Sequence, residues 1–147
     1  MRILFAAAVA AILLSAPAAA FAQSAGKCPD LPASSGLAWQ EIQTDTLLIC
    51  RAVRADGSDA FALTFTRKPT FNPDRRNVAD VTTFGGQSLQ WYRSTLAGNP
   101  NMQVREALVP LNDGNNLQMV VRAGDEAGLQ RSFGEIAALK ISAVASR

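Results

Sequence analysis

The chain has no histidine. That removes the commonest general base and the commonest metal ligand at once, and it excludes Ser-His-Asp and Cys-His nucleophilic sites. Cysteine is nearly as scarce, with only Cys28 and Cys50. Their spacing is unlike a Cys-x-x-Cys redox motif or a zinc-ligand set, so thiol exchange and structural zinc are not expected. Glycine-rich phosphate loops are missing too: Gly85-Gly86 lacks the further glycines and the lysine that such a loop needs. Asp56-Gly57-Ser58-Asp59 and Asn112-Asp113-Gly114-Asn115 lack the run of oxygen ligands ending in glutamate that a calcium loop requires, and both read as turns. No internal repeat and no second domain is visible.

An excess of charge is also lacking. The 147 residues hold 14 Lys and Arg against 12 Asp and Glu. One of the basic residues, Arg2, belongs to an N-terminal leader: Met1-Arg2, an apolar run from Ile3 to Leu14, then Ala20-Phe21-Ala22. A basic start, a short apolar middle and an Ala-x-Ala exit describe a secretory signal peptide over residues 1–22, and the apolar run is shorter than the ~20 residues of a membrane-spanning helix. Without Arg2 the mature chain carries 13 basic and 12 acidic side chains, a net charge of +1. So small an excess gives no reason to expect a nucleic-acid surface. The expected location is periplasmic or secreted, with no membrane span in the mature chain. In such a compartment Cys28 and Cys50 are read as a disulfide. Lipid modification of Cys28 is disfavoured by Lys27, which stands where that processing prefers a small residue.

What is present is a β-rich pattern closed by one helix. Residues 23–36 are an extended lead-in containing Pro29 and Pro32. Residues 37–147 are read as a single α+β domain. Leu37, Trp39 and Ile42 suggest a short strand. Leu47 to Val53 and Ala60 to Thr66 form a hairpin about Asp56-Gly57, with Phe61, Leu63 and Phe65 on one face. Arg67 to Asp80 breaks the pattern with Pro69 and Pro73 and is expected to be a long loop, of a length that is often functional or mobile. Strands are then expected at Val81 to Phe84, Gln87 to Ser94, Gln103 to Pro110 and Leu117 to Arg122. They are separated by turns at Gly85-Gly86, Gly98-Asn99-Pro100-Asn101 and Asp113-Gly114. Leu129, Phe133, Ile136, Ala137 and Leu139 fall on one stripe of a helix that opens at Gly124-Asp125-Glu126 and stops near Leu139, since Lys140 would spoil the stripe. The expected fold is a mainly antiparallel meander with this C-terminal helix packed on it.

The order of features in the C-terminal half resembles the PsbP-like fold family, which includes photosystem II extrinsic proteins and periplasmic bacterial relatives. The features are the Gly86-Gln87 turn before the Trp91-Tyr92 strand, the Gln103 to Pro110 strand, the Asp113-Gly114 hairpin, and the Asp125 to Leu139 helix closing on Leu139-Lys140-Ile141. The resemblance implies an antiparallel sheet flanked by helices and a binding or assembly role. The chain departs from the family in lacking an N-terminal helix and in carrying the Cys28/Cys50 pair. No functional residue carries over, and fold alone does not fix function.

Three functional readings follow. The first is a non-enzymatic exported binding protein whose partner is a protein or an anionic envelope component. Its candidate surface is the basic loop, through Arg67, Lys68, Arg75 and Arg76, because guanidinium groups engage carboxylates and phosphates. It needs no cofactor. The second is a carboxylate-based hydrolase of envelope polymer, for which Glu41, Glu106 and Glu135 lie outside obvious turns. Glu106 is expected rather to pair with an arginine of a neighbouring strand, Arg93 or Arg122, since cross-strand charge pairing is ordinary sheet chemistry. The third is a small inhibitor of a protease or lysozyme. Trp39, Trp91 and Tyr92 are expected in the core, with polar tips at the surface.

Overall fold

Two runs of strands meet in the middle of one sheet. β1 (Ala38–Gln43), β2 (Leu47–Val53) and β3 (Asp59–Thr66) form one meander. β4 (Val78–Phe84), β5 (Gln87–Leu96), β6 (Asn99–Pro110) and β7 (Asn116–Ala123) form the other. Antiparallel pairing of β3 with β7, Leu63 opposite Met119 and Phe65 opposite Leu117, joins them in the spatial order β1-β2-β3-β7-β6-β5-β4. One helix, α1 (Glu126–Ala137), follows β7. The expected α+β class is therefore present in this computed structural model, which describes residues 27–141. The leader, the first residues of the lead-in and the last six residues lie outside the described residues.

Side-chain alternation assigns the two faces. Leu48, Cys50 and Ala52 of β2, Phe61 and Leu63 of β3, Leu117, Met119 and Val121 of β7, Ala107 and Val109 of β6, and Leu89 and Trp91 of β5 are all buried on one face. α1 covers that face with Leu129, Ser132, Phe133 and Ile136, an i, i+3, i+4, i+7 stripe. Ser132 is buried in addition to the expected stripe, whereas Ala137, expected on it, is exposed. The Asp125 carboxylate accepts from the Gly128 N–H at 2.7 Å, satisfying one of the unpaired donors of the first turn. α1 ends at Ala137, slightly before the expected end near Leu139.

Two anchors fix the helix and the lead-in to the sheet. Arg54, just past β2, reaches the helix: its Nη2 donates to Glu135 Oε2 at 2.9 Å and to Ser132 Oγ at 3.2 Å, while its Nη1 donates to the Asp59 carbonyl at 2.9 Å. The Ser132 hydroxyl then donates to the Ala60 carbonyl at 2.8 Å. The second anchor is the Cys28–Cys50 disulfide, with Cα atoms 5.8 Å apart across a sequence separation of 22. Nearby, Trp39 donates from Nε1 to the Pro29 carbonyl at 2.7 Å and meets Phe61 edge-on at 5.7 Å.

Several boundaries differ from the sequence reading. β1 is a full edge strand: Trp39 packs toward the core, whereas Ile42 points to the other face and is 50% exposed. β4 starts at Val78 rather than Val81, after a short 3-10 turn at Arg75–Asn77. Glu106 makes no ion pair with Arg93 or Arg122; it lies opposite Tyr92 and Val120 on the face away from α1. The ion pair of this region is instead inside, between Arg105 and Asp80, and Trp91 Nε1 donates beside it to Thr82 Oγ1 at 2.9 Å. The strand phase explains this. Arg105 shares its face with Ala107 and Val109, so its guanidinium is buried and needs a carboxylate, which the edge strand β4 supplies.

Unreduced protein is expected to show no free thiol after denaturation, and Cys28→Ala/Cys50→Ala should lower unfolding stability by about 3 kcal/mol in urea titrations. Arg54→Ala leaves Glu135 without its cation and unties the helix from the β2–β3 hairpin. A loss of about 2 kcal/mol is expected in the same assay, less than for a fully buried pair because both side chains touch solvent.

Candidate functional site

The expected basic loop is a taut bridge. β3 and β4 run in the same direction with β7, β6 and β5 between them, so residues 67–77 must cross three strands and also return along the strand length. At ~4.8 Å per strand spacing and ~3.3 Å per strand residue, that diagonal is on the order of 28 Å, against a maximum of roughly 36 Å for a chain of this length. There is little slack for a helix; the backbone bends at Arg67, Lys68 and Thr70 and forms no helix before the 3-10 turn at Arg75–Asn77.

The bridge passes over the face opposite α1 and is pinned along its way. Thr70 Oγ1 donates to Gln118 Oε1 on β7 at 3.4 Å. Phe71 packs on the Tyr92 ring of β5 with centroids 5.6 Å apart. Asp74 accepts from the Arg76 N–H at 3.0 Å and caps the 3-10 turn.

This path separates the four candidate cations. Arg67 and Lys68 stand where the bridge leaves β3, beside an open groove of about 1270 Å³ between the β1–β2 turn, the β6–β7 turn and the chain segments at Lys27 and Lys140. Leu48, Phe65, Leu111 and Ile141 give the groove an apolar lining, and Asp30, Asp45 and Asp113 line it as well. Arg76 is folded back on its own turn, with Nη2 at 2.7 Å and Nε at 3.2 Å from Asp74 Oδ2. Arg75 is exposed, lines a second cavity, and has no ion-pair partner among the described residues.

That second cavity, about 740 Å³, opens where β5 and β6 part company. Their ladder runs from the Leu96–Asn99 turn to Tyr92 opposite Glu106 and stops there. β5 continues toward the hairpin turn in ladder with β4, and β6 continues to Pro110 in ladder with β7. The cavity lies between the diverging halves, lined by Ser88, Leu89 and Gln90 on one side and Leu108, Val109 and Pro110 on the other. The cause is a conflict of packing. Trp91 is fully buried against Phe133 at 4.7 Å, and α1 also touches β4, so the β4–β5 hairpin is drawn toward the helix. The far end of β6 is held by β7 and β3 instead. Gly85 and Gly86, with φ of 57° and 77°, allow the tight turn at the hairpin tip.

Sequence reasoning reached Arg75 but missed the cleft. One signal was available: Pro110 ends the predicted strand and supplies no backbone N–H, which marks a place where a ladder is incomplete.

Each acidic group whose pKa is resolved as shifted lies low. The Ser58 hydroxyl and N–H hold Asp56 below the usual carboxylate range, the Arg76 guanidinium and N–H do so for Asp74, and the Asn115 N–H does so for Asp113. These are turn and cap carboxylates stabilised in the ionised form, whereas a general acid needs the opposite shift. Among the described residues no three Asp, Glu or Cys gather closely enough to hold a metal ion, and no helix is long and apolar enough to cross a membrane. No protein-family model, curated protein or solved structure matches the chain.

Because these carboxylates have folded pKa values depressed below 3.8, the stability they contribute is present above the unfolded value and is lost as pH falls through the lower folded values. Thermal unfolding is therefore expected to be flat in this respect from neutral pH down to about 5 and to weaken below about 4. Asp113→Asn keeps an acceptor for the Asn115 N–H but no longer titrates, so it should shrink that acid limb; an unchanged limb would locate the acid sensitivity elsewhere.

Proposed function

We propose that the protein is an exported, non-enzymatic binding protein that recognises an acidic partner through the bridge face of its sheet. The observation that carries this reading is Arg75. It is a cation on a pinned backbone, without an ion pair among the described residues, at a cavity lined also by Tyr92 and by parted strands. A solvated loop has no need of the Thr70, Phe71 and Asp74 attachments, and a rigid display lowers the ordering cost of binding. Export is supported by the Cys28–Cys50 disulfide, which suits an oxidising compartment, and by the leader-like residues 1–22. The lowered pKa values of Asp56, Asp74 and Asp113 suit structural anions rather than catalytic acids.

The four cations are unequal in this reading. Arg75 contacts the partner, Arg76 shapes the turn that presents it, and Arg67 with Lys68 forms a separate cationic rim at the groove. Arg75→Glu is expected to reduce partner capture from native envelope extract by about tenfold, equivalent to about 1.4 kcal/mol, without lowering the melting temperature. Arg67→Glu should change capture much less. Equal capture by wild type and Arg75→Glu would remove Arg75 from the interface.

A further inference from the structure

Resting on the proposed binding reading and deepening it, we infer that the β5–β6 cleft accepts an extended acidic peptide by strand addition, the incoming strand pairing with β6 at Leu108. The two walls are strand backbones whose mutual ladder has stopped, while each keeps its pairing on the other side. Alternate residues of each wall therefore turn their backbone N–H and C=O groups to the gap, Ser88 and Gln90 on β5 and Leu108 on β6, whose phase is set by the Leu111 N–H bond to the Asn115 carbonyl. An extended peptide is the ligand chemistry that answers groups spaced in this way along two strands. A compact anion would satisfy one or two of those groups.

Side chains define the rest of the ligand. Leu89 and Val109 come from the core face and Leu108 from the opposite face, so alternate apolar residues of an added strand find apolar neighbours on both sides. Arg75 and Tyr92 stand at the bridge side of the cavity, where a carboxylate on the peptide would meet the one cation of the lining. Charge complementarity thus selects an acidic segment over a basic one. Pro110 closes one end, since a strand continuing past it finds no N–H to accept. The volume of about 740 Å³ suits a short stretch rather than a folded domain.

The probe is a synthetic octapeptide of alternating valine and threonine with a glutamate at each end, added to the mature protein and followed by amide hydrogen exchange. Binding in the cleft is expected to slow exchange at Leu108, or at Ser88 and Gln90 where the peptide also pairs with β5, by at least about tenfold, with little change along β1. The same peptide N-methylated at alternate residues should lose this protection, and a version with lysine in place of glutamate should bind several-fold more weakly. Leu108→Trp, which fills the cleft, should abolish protection while its melting curve reports that the fold is kept. Protection confined to the outer edges β1 or β4, equal protection by the N-methylated peptide, or none with any peptide overturns strand addition. The Arg75→Glu capture result separates the two ideas: loss of capture without peptide protection leaves the binding reading standing and removes the cleft as its strand-addition site.

Discussion

The insertion of β7 between β3 and β6 is the constraint from which the rest of the layout follows. Were β4 to pair with β3, the chain would be a plain meander and residues 67–77 a short turn. With β7 in that place, β3 and β4 run in the same direction four strand spacings apart, and the connection must cross the sheet diagonally. It has to lie on the face that α1 leaves open. A crossing that uses most of its available length adopts few conformations, so its residues are placed by the sheet beneath them: Thr70 over Gln118 and Phe71 over Tyr92. The separation of Arg67 from Arg75 is thus a product of strand order.

The same insertion divides the sheet mechanically. β1, β2, β3 and β7 are held by their mutual ladders, by the disulfide at Cys50 in the middle of β2 and by Arg54 just past its end. The β4–β5 hairpin has one neighbour, β6, and a strong competing attraction in α1. Burial of Trp91, Leu89 and Phe84 under the helix outweighs continuation of the β5–β6 ladder, because large buried aromatic and aliphatic side chains are each worth about 1.5–3 kcal/mol and a net hydrogen bond only about 1. The Arg105–Asp80 pair works on the same side of this balance: it ties β6 to β4 on the core face at the end where the ladder is intact. The sheet therefore hinges open at one end while staying closed at the other.

Much of the local structure was legible. The Phe61, Leu63, Phe65 phase and the Asp113-Gly114 turn fix their hairpins through nearby residues, and Asp125 marks the helix start by cap chemistry that acts within one turn. What failed depends on distant partners. Nothing around Val78 announces a strand, because β4 is formed by pairing with β5 rather than by its own alternation. Alternation in β6 places Glu106 and Arg105 on opposite faces, but only the position of α1 decides which face is the core and therefore that Arg105 is the buried one. The basic loop was recognisable by composition, whereas its division into a groove-side pair, a self-paired Arg76 and a cavity-lining Arg75 required the path of the bridge.

Open strand edges are hazards that proteins blunt, and the way this fold treats its edges argues for a special status of the internal one. β4, on the outside, is broken by a register shift between Val78 and Asp80, which interrupts the regular backbone that another chain would need. β1, the other outer edge, is short and carries Gln40, Glu41 and Gln43 among its six residues. The β5–β6 cleft has neither device on its β6 wall, where Leu108 and Val109 stand in regular ladder with β7. It is protected instead by geometry, since a second wall faces it. An edge shielded from open-ended pairing yet left unpaired, with a cation and an aromatic ring at its mouth, has the properties of a recognition site.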